Sequence, residues 1–373
     1  MGFYTEEIGQ KQHLNLSDSA WAVVEEDMEN FSDEGGDNNL SGFLNTIFVN
    51  FYESANASIS MRLDEYKEKM ATFLSGVQYK MLPEKAKRAF LDQLVHDKKE
   101  ELATLLDTYV RGEGRKFRLN VQACEILADS EEDRFYDGKV GKYLKAIFEE
   151  YTLLPYDARE KIFFRETFDM IQKAIQKKCE LKIELIDGKK IEFSPYKVAV
   201  EKAGTFHYLV GKQMGKYGKP RFVSYRLARL RSVRPLVSKK TLMTKDDVDK
   251  LQHLLLERGP QFLSGGTLEI KMRLTEQGYI TYRRSIRGRP PIYGVEEGNI
   301  YVFHCTLSQA LYYFYKFGPD ATPVSPESVV QRFKSTLEAS LASYEWKKEG
   351  SPWFAVEILL SYFSNCDLEK KRE

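Results

Sequence analysis

The chain has 373 residues with 56 Lys and Arg against 55 Asp and Glu, so it has room for two or three domains with real cores. Its cysteines, Cys124, Cys179, Cys305 and Cys366, lie far apart and without metal-ligand spacing, which fits a reducing cytoplasm better than a disulfide scaffold. No signal peptide and no membrane span are expected, because the longest apolar run, Trp353–Phe363, is too short to cross a bilayer and contains Glu357.

The near-neutral total conceals an asymmetry. Residues 1–160 carry 19 basic against 31 acidic side chains, a balance of −12; residues 161–238 carry 18 against 7, a balance of +11. A polyanion would therefore be met by the middle of the chain, whereas the N-terminal segment is a poor generic DNA binder.

In chain order, Lys11–Leu16 alternates polar and apolar residues as a half-buried strand does. Ser17 or Asp18 can cap a helix from about Ser19 to Phe31, with Trp21, Val24 and Met28 on one face. After a loop at Ser32–Asn39, a helix over Leu40–Ser54 buries Phe43, Leu44, Ile47, Phe48 and Phe51. Ser60–Val110 is helical in pattern, interrupted by Pro83, with Leu94, Leu102, Leu105, Leu106 and Tyr109 recurring at helical spacing; it reads as a spacer or dimer arm.

The opening plan then returns. Lys116, Arg118 and Asn120 alternate with Phe117 and Leu119, a short helix follows near Val121–Asp129, and Val140–Leu154 repeats the second helix. Leu44, Ile47 and Phe48 have identical counterparts in Leu144, Ile147 and Phe148, so a strand–helix–helix unit is duplicated. Such units hide their apolar faces by pairing, and the pattern resembles the ribbon-helix-helix fold. That resemblance implies nucleic-acid contacts from the outward residues Lys11, His13, Asn15, Lys116, Arg118 and Asn120. A ribbon that only joins subunits is the competing reading, and pairing within one chain or between chains is open at this point.

Beyond Pro155, Asp157 can cap a helix running to Lys177. Strands are expected at Glu180–Ile186, Lys189–Phe193, Pro195–Val200, Phe206–Gly211 and Phe222–Arg226, with turns at Asp187-Gly188 and near Ala203-Gly204. Five short strands imply a small, strongly bent sheet or barrel. Lys219–Pro235 gathers Lys219, Arg221, Arg226, Arg229, Arg231 and Arg234, and a turn would bring Arg226 and Arg229 together. Planar guanidiniums collected at one place suit phosphate, although a solvated edge strand has the same composition.

Further on, Leu268–Leu274 and Asn299–Cys305 read as strands, Thr275–Ile286 and Leu307–Phe317 as helices, and Ser325–Tyr344 completes an α+β domain. Arg283, Arg284, Arg287 and Arg289 form a second basic patch, or a solvated loop. The apolar tail after Trp346 needs burial on the same chain or on a partner.

No Walker loop, nucleophile elbow or metal-binding histidine pair occurs, and no enzyme, metal or cofactor is expected. The run S-P-Y at Ser194, F-H-Y-L-V-G from Phe206, and R-F-V-S-Y-R-L-A-R-L from Arg221 resembles a WYL domain, an Sm-like β-barrel module. The triplet here is His207, Tyr208 and Leu209, with His where the family has Trp. The resemblance implies an RNA- or ligand-binding groove at Tyr208, Ser224, Tyr225, Arg226 and Arg229, with His207 and Arg221 nearby.

With L-S-G-F-L-N-T-I-F, Y-L-K-A-I-F-E-E-Y-T-L-L and Y-Y-F-Y-K-F-G, the order of parts resembles the WYL accessory proteins of type VI-D, RNA-targeting CRISPR systems. It implies a cytoplasmic α+β multidomain homodimer that binds single-stranded RNA and enhances an RNA-guided effector nuclease. The implied domains are 1–158 (duplicated ribbon unit and spacer), 159–238 (WYL), 239–345 (α+β extension) and 346–373 (docking tail). The alternatives are a dimeric regulator that binds duplex DNA and senses a nucleotide-like ligand, and a pure sensor of compounds such as cyclic oligoadenylates.

Overall fold

The computed structural model describes residues 11–31, 39–76, 79–108, 113–130, 136, 138–201, 205–215 and 218–345. The apolar tail, the turn at Ala203-Gly204 and the side chains of Leu102, Leu105, Leu106 and Tyr109 lie outside the described residues. Among the described residues no helix is long and apolar enough to cross a membrane.

Alternation of polar and apolar residues produces β1 (Lys11–Asn15), followed by α1 (Asp18–Phe31) and α2 (Leu40–Leu74). After α3 (Glu84–Thr108) the plan repeats as β2 (Gly114–Arg118), α4 (Val121–Asp129) and α5 (Val140–Thr152). β1 and β2 pair antiparallel within the one chain, Lys11 opposite Arg118, His13 opposite Lys116 and Asn15 opposite Gly114. Leu44, Ile47 and Phe48 and their counterparts Leu144, Ile147 and Phe148 share one core with Leu14, Leu16, Trp21 and Phe117. The helix expected to end near Ser54 instead runs to Leu74, because no glycine or proline interrupts it after Gly42.

The two copies hold each other at the points where strand becomes helix. Ser17 Oγ accepts the Ala20 amide at 3.2 Å, while the Ser17 amide donates to Glu149 Oε1 at 2.7 Å. In the other copy, Asn120 Oδ1 accepts the Ala123 amide at 2.8 Å, and the Asn120 amide donates to Asn45 Oδ1 at 2.8 Å. Each helix start thus satisfies its orphan donors partly through a side chain of the opposite copy.

Pro155 leads into α6 (Tyr156–Phe163) and α7 (Arg165–Gln176), two helices broken at Phe164 where one was expected. α6 delivers Arg159 to the fully buried Asp27 of α1, with Nε 2.7 Å from Oδ2 and Nη2 3.0 Å from Oδ1. Tyr151 of α5 donates to the same carboxylate at 2.8 Å. Burial, reinforced by the Asp27 charge, holds the Tyr151 phenol well above its usual pKa. Burial opposes the Arg159 charge, but hydrogen bonding to Asp27 leaves the pKa of the guanidinium raised.

The next strands are β3 (Cys179–Leu185), β4 (Lys190–Val200), β5 (His207–Met214), β6 (Pro220–Arg226) and β7 (Leu230–Lys240), ordered β6-β5-β4-β3-β7. Two strands expected around Pro195 are one strand, β4, with a register shift between Pro195 and Lys197; proline has no ladder donor and is tolerated at such a bulge. β7 was not foreseen, since its polar edge resembles a loop. Gly211 faces the bulge, where an added Cβ would overlap the Ser194 carbonyl and lie 2.7 Å from the Phe193 ring. Gly211→Ala is therefore expected to cost about 2 kcal/mol through overpacking, read as a lower midpoint in urea unfolding.

After α8 (Lys245–Arg258) come β8 (Leu268–Leu274), α9 (Glu276–Arg284), β9 (Ile292–Glu296), β10 (Ile300–Cys305), α10 (Leu307–Phe314), β11 (Ala321–Ser325) and α11 (Glu327–Glu345). Their sheet has the order β11-β8-β10-β9, and every pairing in it is antiparallel. Ile270, Met272, Leu274, Phe303 and Cys305 point to one face and meet Tyr282, Tyr313, Phe314, Val329 and Phe333 from the helical segments. The chain is thus an α+β protein with several sheets. It divides into two compact units, one of residues 1–173, 183–191 and 227–234 and the other of residues 174–182, 192–226 and 235–373.

Candidate nucleic-acid interface

Strand alternation splits the residues expected to line one groove. β5 and β6 pair with Tyr208 opposite Arg226, Val210 opposite Ser224 and Gln213 opposite Arg221. Tyr208, Ser224 and Arg226 therefore share one face, while His207, Arg221 and Tyr225 point to the other. On the first face Tyr208 and Phe222 pack with Val210, Leu251 and Leu263, and Ser224 Oγ donates to the Pro260 carbonyl at 2.5 Å. On the second, Tyr225 donates to Gln213 Oε1 at 2.7 Å, and His207 is buried. Tyr208, Ser224, Tyr225 and His207 thus hold the sheet together. Arg229 is exposed on a single 3-10 turn, Leu227–Arg229, and the division between the two units falls between Arg226 and Leu227.

Arg226, at the end of β6, is half-buried and its guanidinium lies 3.7 Å over the Phe206 ring. The same ring has Arg287, from the loop after α9, at 6.0 Å. The first and second basic patches of the sequence therefore meet at one aromatic residue. Arg287 Nη2 is 2.9 Å from Oε1 of Glu201, a carboxylate only 7% exposed. Lys316 adds a further cation, its Nζ donating to Ser285 Oγ at 2.5 Å. Burial and then the positive charge of Arg287 hold the Lys316 pKa below the usual lysine range. The smaller, Arg287 part of that depression is a like-charge effect, which a bound anion would offset.

Arg283 and Arg284 are exposed in the last turn of α9 and carry no ion pair among the described residues. Arg289 departs from expectation. Its Nη1 donates to the Arg283 carbonyl at 3.1 Å and its guanidinium lies 5.4 Å from the Tyr282 ring, so it caps the helix C-terminus. Beside it Gly288, with φ of +69°, lets the loop pass under the half-exposed Tyr312, whose ring would be 2.8 Å from an added Cβ.

The ribbon exposes Lys11, His13 and Asn15 on β1 and Lys116 and Arg118 on β2. Asn120 is not among them; it lies past the strand as the cap of α4, because its side chain competes best for helix-start amides. Phe206, Glu201, Lys316 and Tyr312 were missed. Only Phe206, directly before the His-Tyr-Leu triplet, and Lys316, inside an aromatic run, carried any signal.

No protein-family model matches the chain, and no curated protein matches its sequence. Its fold is similar to the crystal structure of a CRISPR Cas-related protein, at a TM-score of 0.67 and 22% identity, over 91% of this chain and 95% of that one. Proteasome accessory factor B/C of Arthrobacter aurescens aligns over 66% of this chain and 35% of its own at a TM-score of 0.27 and 15% identity, which establishes no common fold.

Proposed function

We propose that the chain is a non-enzymatic, single-stranded-RNA-binding accessory protein that works beside an RNA-guided RNA-cleaving CRISPR effector. The observation that carries this reading is the meeting of Arg226 and Arg287 at the Phe206 ring, with Glu201 as the carboxylate paired to Arg287. Guanidiniums beside an aromatic ring can neutralise phosphates and stack bases without reading sequence. The WYL-like residue run, read as an Sm-like module built on the five-stranded sheet, and the fold shared with a CRISPR Cas-related protein support it. A homodimer in the cytoplasm, of the three-part domain order inferred from the sequence, belongs to the same reading. The wild-type test is a titration with single-stranded RNA and duplex DNA across a salt series. Tighter RNA binding with a steep salt slope is expected, and equal or tighter duplex binding would refute it.

The paired ribbon favours a second reading, a ribbon-helix-helix regulator that contacts duplex DNA. Lys11, His13, Lys116 and Arg118 are exposed on the two paired strands. Under the first reading, Lys116→Ala with Arg118→Ala leaves RNA affinity within about twofold of wild type. Loss of tight duplex binding in the same variant, measured by electrophoretic mobility shift, would instead favour the regulator.

A further inference from the structure

We infer that the open face of the β11-β8-β10-β9 sheet is a second surface for single-stranded polynucleotide, on which a base stacks against Tyr293. This does not rest on the arginine cluster.

The order strand–helix–strand–strand–helix–strand, with the first and third strands central, places the helices of this domain on one face of its sheet. The other face carries Glu269, Lys271 and Arg273 from β8, with His304, Val302 and Ile300 opposite them in register on β10. β9 adds Tyr293 at an irregular position, where the pairing shifts between Val302 and Phe303. That shift lets the Tyr293 ring lie flat on His304, with centroids 3.8 Å apart and planes inclined by 23°. Tyr293 remains 69% exposed, so the outer side of the pair is a bare aromatic plane.

The charges of this face are largely matched to one another. Lys271 Nζ is 2.5 Å from Glu296, and His304 Nε2 is 3.5 Å from Glu269. Arg273 is exposed without an ion pair among the described residues. The face therefore offers stacking and one open cation rather than a strong positive field. A four-stranded sheet with an exposed aromatic ring, here reaching from the edge strand β9 over His304 of β10, is a platform that splayed bases can use. Duplexes, whose bases are already stacked on one another, cannot. Binding here should vary little with salt, unlike binding at the arginines.

The experiment uses the full chain and fluorescence anisotropy with labelled uridine and thymidine homopolymers long enough to span both surfaces. Tyr293→Ala should weaken binding about tenfold with the salt slope unchanged, and Tyr293→Phe should restore it, since only the ring is needed. Ultraviolet crosslinking should place an adduct on the peptide carrying Tyr293. If both polymers respond, the sugar is not read; if only the uridine polymer responds, the face is an RNA surface. Unchanged affinity in Tyr293→Ala would overturn the inference. So would a Tyr293→Ala variant that sediments as a smaller species than wild type, because the face would then join two copies of the chain.

Discussion

Arg226→Ala combined with Arg287→Ala is expected to weaken single-stranded RNA binding by on the order of a hundredfold and to lower the salt slope by about two. Both guanidiniums lie at the Phe206 ring, so their removal takes away two phosphate partners and the cationic flank of the stacking surface. The single variants separate the contributions. Arg287→Ala leaves Glu201 buried without its ion-pair partner, so its loss of affinity would come with some loss of stability. The pH dependence follows from Lys316. Its pKa is already depressed by burial and by Arg287, so it sheds its proton earlier than an ordinary lysine as pH rises, and RNA affinity should fall in the alkaline range below the usual lysine pKa. Lys316→Met should remove that fall. An RNA affinity indifferent to the double variant would refute the proposed site.

The largest effect on stability is expected at Asp27. Asp27→Ala leaves Arg159 buried and unmatched in the helical core, which costs about 3–5 kcal/mol, enough to lower the melting temperature by roughly 10 °C. Arg159→Ala should cost a similar amount, for the mirrored reason that the carboxylate is then stranded. Removing both partners with Asp27→Leu and Arg159→Met should recover much of the loss, since neither desolvated charge remains. Circular dichroism melts of the three variants would test this. Additive losses in the double variant would show that the two side chains act independently.

The periodic parts of the fold were legible. Leu44, Ile47 and Phe48 against Leu144, Ile147 and Phe148 revealed the duplication, and the alternating exposed and buried side chains of Lys11–Asn15 follow the alternation visible in the sequence. What was not legible depended on contacts distant in sequence. Strand alternation alone placed Arg226 and Arg221 on opposite faces, but nothing local indicated that Leu251 of α8 would pack with Tyr208. Arg287 and Arg226 are separated by a whole domain's worth of chain, and only tertiary structure brings them to one ring. Arg289 has the same composition and neighbourhood as Arg287, yet geometry commits it to a helix end. β9 and β11 escaped notice because Gly294 and Pro323 interrupt short strands, and the partner of β11, β8, lies far back along the chain.

The crossed holds at the two helix starts have a consequence for symmetry. Ser17 is received by Glu149, whose counterpart in the first copy is Val49; Asn120 is received by Asn45, whose counterpart in the second is Lys145. Two first halves brought together would meet Val49 where a carboxylate is required, so the halves have become unlike partners, as lock differs from key. A surface assembled from them has no dyad, and any duplex that matched it would have no reason to be a palindrome.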